Sequence, residues 1–182
     1  MKYNYFLFGS KTKNGFTLIE LLVVISIIGL LASVVLVSFP TTTKKMRDSI
    51  RKQDIHQIMV ALEIYYSIHE EYPLSGGASS PNSCWDNSGD SSWDDLEVAL
   101  VEGVLLRDPV NESGGWAGGG KYVYNYYSRN YGCNQQWYMI VYTLEDKNDP
   151  YLANSPGVTA CNGQNFNYTG TITIGRCRGC YE

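Results

Sequence analysis

Apolar positions run almost unbroken from Phe16 to Phe39 in the stretch KNGFTLIELLVVISIIGLLASVVLVSFP, and the run contains a single charged side chain, Glu20. A run of about 20 apolar residues is what an α-helix needs to cross a bilayer core, so the pattern predicts a membrane-spanning helix over 16–39. A carboxylate at the centre of such a helix costs about 2.5–3.5 kcal/mol, which makes Glu20 a functional candidate; the alternative is that it sits near the helix end and reaches the headgroups. Beyond Pro40 the period changes. Ile55, Ile58, Met59, Leu62, Tyr65 and Tyr66 recur at spacings of three and four, the pattern of one face of an amphipathic helix. That helix is expected to continue to Tyr72, where Pro73 stops it. A single helix over 16–72 would be about 85 Å long. Its second half is expected to pack on a globular head, leaving the first half in need of lipid or of other apolar stems. Gly29 and Pro40 are the places where this helix is weakest, although a glycine in a membrane helix also serves close packing.

After Pro73 the chain turns polar, through the loop LSGGASSPNSCWDNSGDSS. Ser92 with Asp95 three residues on has capping-box spacing and predicts a short helix through DDLEVALVEG. LLRDPVNESGGWAGGG reads as a second loop. KYVYNYYS, WYMIVYTL and TGTITIG then read as strands dense in aromatic and β-branched residues. Their tyrosines suit either an adhesive surface or plain strand packing. The fold class expected is α+β: a long N-terminal helix, membrane-spanning in its first half and packed by its second half on a small antiparallel-sheet head. The divisions are a leader over 1–15, a spanning or filament-core helix over 16–39, its amphipathic continuation over 40–72 and the head over 73–182.

An ordinary secretory signal has an apolar core of 7–15 residues followed by a small-residue cleavage site. Here the run is longer, and the glycine precedes it. Gly15-Phe16-Thr17-Leu18-Ile19-Glu20, following a leader with Lys2, Lys11 and Lys13, resembles the class III signal of type IV pilins and type II secretion pseudopilins. The resemblance implies that a prepilin peptidase cuts after Gly15 and methylates Phe16. It also implies that Glu20 is the acid used in assembly, and that the stem near Gly29 and Pro40 can partly unwind in a filament. The chain would then be a structural subunit rather than an enzyme. It would be held first in the cytoplasmic membrane by a single pass, with its head extracytoplasmic, and later in an extracellular or periplasmic filament. The partners implied are other copies or other pilins, the peptidase, a membrane assembly platform and membrane lipid. EYP at the helix end and the later DP also resemble the major pseudopilins. Three lysines precede the apolar run, whereas Lys44, Lys45, Arg47, Arg51 and Lys52 follow it. That balance by itself places the N-terminus outside, the reverse of what the signal implies. The alternative function is a single-pass membrane-anchored extracytoplasmic binding protein that keeps its leader and does not polymerise.

Charge narrows the partners further. The formal net charge is −4, and loss of the three leader lysines would take it to −7. From Pro73 onward six basic residues face twelve acidic ones, a poor basis for phosphate contacts, so no nucleic-acid binding is expected. The basic run after the apolar segment suits anionic lipid, acidic neighbours in a filament, or a merely solvated helix face. Cys84, Cys133, Cys161, Cys177 and Cys180 all fall in the head, where exported proteins form disulfides. Five cysteines allow at most two bridges, with fifteen pairings open. Cys177 and Cys180 have redox-motif spacing without the surrounding pattern of a thiol enzyme. Zinc is disfavoured, because no second close cysteine pair exists and His56 and His69 belong to the stem. Asp86, Ser88, Asp90, Asp94 and Glu97 follow EF-hand spacing and offer oxygen ligands for calcium, although Ser91 stands where that loop needs glycine. Glu145, Asp146 and Asp149 form a second acidic loop, which is closer to the head-domain calcium sites that the resemblance to major pseudopilins implies. A solvated loop is the alternative reading of each.

Overall fold

The computed structural model describes residues 15–76, 84–100 and 106–178, with the side chains of residues 35–38 and 40 left undescribed. The leader before Gly15, Cys180 and the Pro40 side chain therefore lie outside the described residues. Helix α1 runs from Leu18 to His69, with positions 29 and 40 in helical conformation. The chain divides into two compact units, residues 1–42 and 43–182, so the second half of α1 belongs with the head. Among the described residues no helix is both long and apolar enough to cross a membrane. The stretch with continuously described side chains, Leu18–Val34, falls short of the about 20 residues a span requires.

Helix α1 ends three residues before Tyr72, the end expected from Pro73. Glu70 takes a left-handed conformation, φ 58°, and its N–H donates to the Tyr66 carbonyl at 2.9 Å, which closes the last turn. The head then adds β1 (Asp86–Asn87), α2 (Ser92–Ala99), β2 (Asn125–Tyr127), β3 (Trp137–Tyr142), α3 (Pro150–Ala153), β4 (Val158–Thr159), β5 (Asn165–Phe166) and β6 (Ile172–Cys177). Four strands form one antiparallel sheet in the order β1-β2-β3-β6, and β4 pairs with β5 separately.

Alternation along β3 explains the layers. Tyr138, Ile140 and Tyr142 face Ile55, Ile58 and Leu62 of α1 and Trp93 and Leu96 of α2 in the main core. Trp137 and Met139 point the other way, into a second cluster with Val158, Cys161 and Phe166 from the β4–β5 hairpin and its turn. The sheet is thus covered on both faces, and all six residues of β3 are buried. Tyr124, Tyr126, Tyr138 and Tyr142 lie in the main core rather than on an adhesive surface. The outer edge of β6 is also occupied. Thr173 receives the Gly157 N–H on its carbonyl at 2.9 Å and donates its own N–H to Ser155 Oγ at 2.8 Å.

The cap foreseen at Ser92 forms differently. The N-cap of α2 is Ser91, which makes no side-chain capping bond. Instead the Asp90 carboxylate accepts both the N–H and the hydroxyl of Ser92.

Candidate functional site

The start of α1 carries a reciprocal cap. Residues 15–17 are non-helical, and the helix begins at Leu18 with Thr17 in the N-cap position. The Thr17 N–H donates to Glu20 Oε2 at 2.9 Å, its hydroxyl donates to the same oxygen at 2.6 Å, and the Glu20 N–H donates back to Thr17 Oγ1 at 3.4 Å. This arrangement satisfies two of the four N–H groups that a helix start leaves without partners. A carboxylate at this end is also favoured by the helix dipole. Among the described residues Glu20 Oε1 accepts no hydrogen bond, so one oxygen holds the cap and the other remains available. Phe16 is exposed, and from Leu18 to Val34 every side chain is exposed, most of them large and apolar. Gly15 has open space around it: a Cβ there would meet nothing within 4 Å. The fold itself gives no reason for glycine at position 15. Gly29 is equally unobstructed.

Three of the five cations in the basic run that follows, Arg47, Arg51 and Lys52, are tied to the head. Arg51 continues the apolar stripe of Ile55, Ile58 and Leu62 by one turn and is fully buried. Its guanidinium forks onto Asp108, Nε to Oδ2 at 2.7 Å and Nη2 to Oδ1 at 2.9 Å. Nη1 donates to Asp48 at 2.7 Å and to Glu145 at 2.8 Å, and the Tyr122 ring lies 4.8 Å from the guanidinium carbon. Asp48 in turn accepts the backbone N–H groups of Glu145 and Asp146, each at 2.9 Å. Arg47 pairs with Glu145, and Lys52 with Asp149 at 2.6 Å. Lys44, Lys45 and Met46 remain exposed.

Two of the three acids of the second acidic loop, Glu145 and Asp149, are thereby paired with the stem's own cations, while Asp146 accepts the Asn148 N–H. Hydrogen bonds from Arg47, and after them from Arg51, hold the Glu145 carboxyl down at about 2 against the opposing effect of desolvation. Asp149 is spent on Lys52 and on capping α3, where it accepts the Tyr151 N–H.

The five residues with EF-hand spacing are not brought together as a ligand set. Helix α2 begins at Ser92, in the middle of the frame that an EF-hand keeps as loop. Asp94 and Glu97 both face Arg107. Asp90 is bonded to Ser92. Ser88 bonds Asn111 and accepts the Tyr124 N–H. Asp86 is fully buried, with Oδ1 accepting the Gly76 N–H at 2.8 Å and Oδ2 without a partner among the described residues. Burial pushes its carboxyl up to about 7 from an ordinary 3.8. An acid with a raised folded value binds its proton more tightly when folded. Its contribution to stability is therefore complete below 3.8 and is lost as pH rises through about 7. Asp86→Asn keeps the acceptor for Gly76 and should flatten that part of the pH profile. Thermal melts of both proteins across this range check it, and an unchanged slope would mean that the Asp86 carboxyl titrates alike in the folded and unfolded protein.

The cysteines are distributed unequally. Cys133 and Cys161 form a disulfide with a Cα–Cα distance of 5.8 Å, Cys84 is a free, exposed thiol, and Cys177, also disulfide-bonded, has its Sγ 3.1 Å from that of Cys161.

Residues 10–36 match the prokaryotic N-terminal methylation motif, the signature of the prepilin-type signal of type IV pilins and pseudopilins. No curated protein and no solved structure matches the chain.

Proposed function

We propose that this chain is a structural subunit of a type IV pilus-like or type II secretion pseudopilus filament, made as a prepilin, cleaved after Gly15 and polymerised through the apolar part of α1. The observation that carries this reading is the methylation motif over residues 10–36. It falls on a helix whose apolar side chains from Leu18 to Val34 are exposed. Such a surface needs lipid or other stems, which fits storage in the cytoplasmic membrane by a single pass with the head extracytoplasmic, followed by transfer into a filament.

The partners of this cycle follow from its chemistry. A prepilin peptidase acts at the Gly15–Phe16 bond, an assembly platform extracts the subunit, and neighbouring subunits receive it. Cleavage frees the Phe16 ammonium one residue before the capped helix start. In an apolar bundle that cation and the Glu20 carboxylate are each costly unless paired. Oε2 is committed to Thr17, and Oε1 is the oxygen left to accept the ammonium of a neighbouring subunit.

Sequencing the N-terminus of protein recovered from its native membrane tests the reading. N-methylated Phe16 is the expected result, and mature protein that retains residues 1–15 would instead be a membrane-anchored protein outside this pathway. Gly15→Val should leave the head folded, because no atom opposes a side chain at that position, yet block processing. Immunoblotting would show precursor accumulating at normal abundance, and normal cleavage of the variant would remove the assignment of Gly15 as the peptidase's recognition residue.

A further inference from the structure

The second half of α1 carries two stripes, and the head buries one of them. Asp48, Arg51, Ile55, Ile58 and Leu62 recur at spacings of three and four and are buried. On the opposite side Met46, Ile50, Val60, Ile64 and Ile68 are 39–68 % exposed, and with Gln53 and Gln57 between them they keep the same period. Single exposed apolar residues are ordinary on a protein surface, whereas five aligned along one helix form a seam of the kind that a second helix covers.

Charges at the two ends of the seam indicate which helix that is. Lys45 directly precedes the seam and Glu70 follows it; both are exposed, and neither forms an ion pair among the described residues. They are 25 positions apart (70 minus 45), close to seven turns of 3.6 residues, which places them on one side of the helix. Copies held in one membrane by the same end of α1 are parallel. A parallel second copy displaced by those 25 positions sets its Lys45 level with Glu70 of the first. Its exposed Leu21, Ile25 and Phe39 then come level with Met46, Ile50 and Ile64, and its Glu20 with Lys45. A displacement of 26 positions (46 minus 20) would instead set Glu20 level with Met46. A carboxylate accepts several donors, so Lys45 and the Phe16 ammonium of different neighbours can share Glu20.

We propose that the seam from Met46 to Ile68 is the docking surface for the apolar stem of a second copy of this chain, with Lys45–Glu70 pairs between copies fixing a displacement of 25 positions. The inference rests on the filament reading above and adds the face and the register that the reading leaves open. Apolar contact supplies the attraction. The exposed ion pairs contribute little to affinity and select one register among those that the uniform apolar stem would otherwise allow.

The test takes as parent the full chain with Cys84→Ser, which removes the exposed free thiol. A chain that adds Lys45→Cys and Glu70→Cys is co-expressed with this parent, and sheared filaments are treated with a short bis-maleimide. The two positions stand about 37 Å apart in one chain, beyond the reagent's reach, so the expected product is a covalent dimer or longer multimer that neither single-cysteine chain gives. Ile64→Asp as the sole subunit should be processed at Phe16 and keep the tryptophan fluorescence of a folded head. Because its carboxylate would be buried in the seam, its yield of sheared filaments should fall about tenfold or more. Filaments that contain both cysteines and give no cross-linked product, or a wild-type yield from Ile64→Asp, would overturn the seam and leave the filament reading standing. A parent chain that is processed and never forms filaments would overturn both.

Discussion

Arg51→Met is expected to destabilise the head by about 3–5 kcal/mol, the usual cost of stripping the partner from buried charges. Methionine fits the apolar stem of arginine, so packing is largely kept, and what is lost is the cation on which Asp108, Asp48 and Glu145 converge. Asp108, only 1 % exposed at its side chain, would retain only backbone donors such as the Val110 N–H. A domain stable by about 5–15 kcal/mol would lose much of its margin. All four tryptophans lie in residues 85–137, so their fluorescence reports the head when the full chain is unfolded by denaturant. Adding Asp108→Asn to Arg51→Met should cost less than the same change in the parent protein, because the orphaned charge has gone. Strictly additive costs, or a loss below about 1 kcal/mol, would show that the cluster is solvated in the folded protein and worth no more than surface pairs. Acid works on the same cluster. The contribution of Glu145, whose folded value is depressed, is complete above 4.5 and is lost as pH falls toward about 2.

The second large effect concerns assembly. Glu20→Ala should be inserted and cleaved after Gly15 yet fail to enter filaments, because the Phe16 ammonium of the neighbouring subunit would then be buried in an apolar bundle without a partner, at about 3–5 kcal/mol for each subunit added. The cap at Thr17 introduces a complication, since Glu20→Ala also removes two bonds from the helix start, worth about 0.5–2 kcal/mol. Two further variants separate these roles. Thr17→Ala weakens the cap and leaves the charge, so filaments should persist. Glu20→Gln can still accept the Thr17 N–H but carries no charge, so filaments should be lost. Electron microscopy and shearing of cells that express each variant as the sole subunit check the set. Filaments at wild-type abundance from Glu20→Gln would reduce Glu20 to a helix cap.

Much of this was legible along the chain, for reasons that particular residues make plain. The stripe Ile55, Ile58 and Leu62 is wholly apolar, and it packs where its period says. WYMIVYTL contains β3, and TGTITIG overlaps β6 by four residues. Arg51 was not legible as a core residue, because its burial depends on Asp108 and Glu145, which meet it only after the head has folded around α1. The same spacing of Ser or Thr with an acid three residues on occurs at Ser92 and at Thr17, and only Thr17 folds as a capping box. At Ser92 a nearer acid, Asp90, intervenes. The four acids and Ser88 with EF-hand spacing are spread over different partners for a related reason, since α2 begins inside that frame and Arg107 pairs with Asp94 and Glu97.

The edges of the sheet bear on how copies of this protein can and cannot associate. A strand with free amides and carbonyls is a template onto which another chain can zip, and proteins held at high local density are the most exposed to that hazard. Here β1 at one end is two residues long, and at the other end the outward groups of Thr173 in β6 are taken by Ser155 and Gly157. The head thus offers little to strand-by-strand growth, the route to amyloid-like clumping. In the proposed filament, order among crowded copies is left to the exposed apolar side chains of the helix.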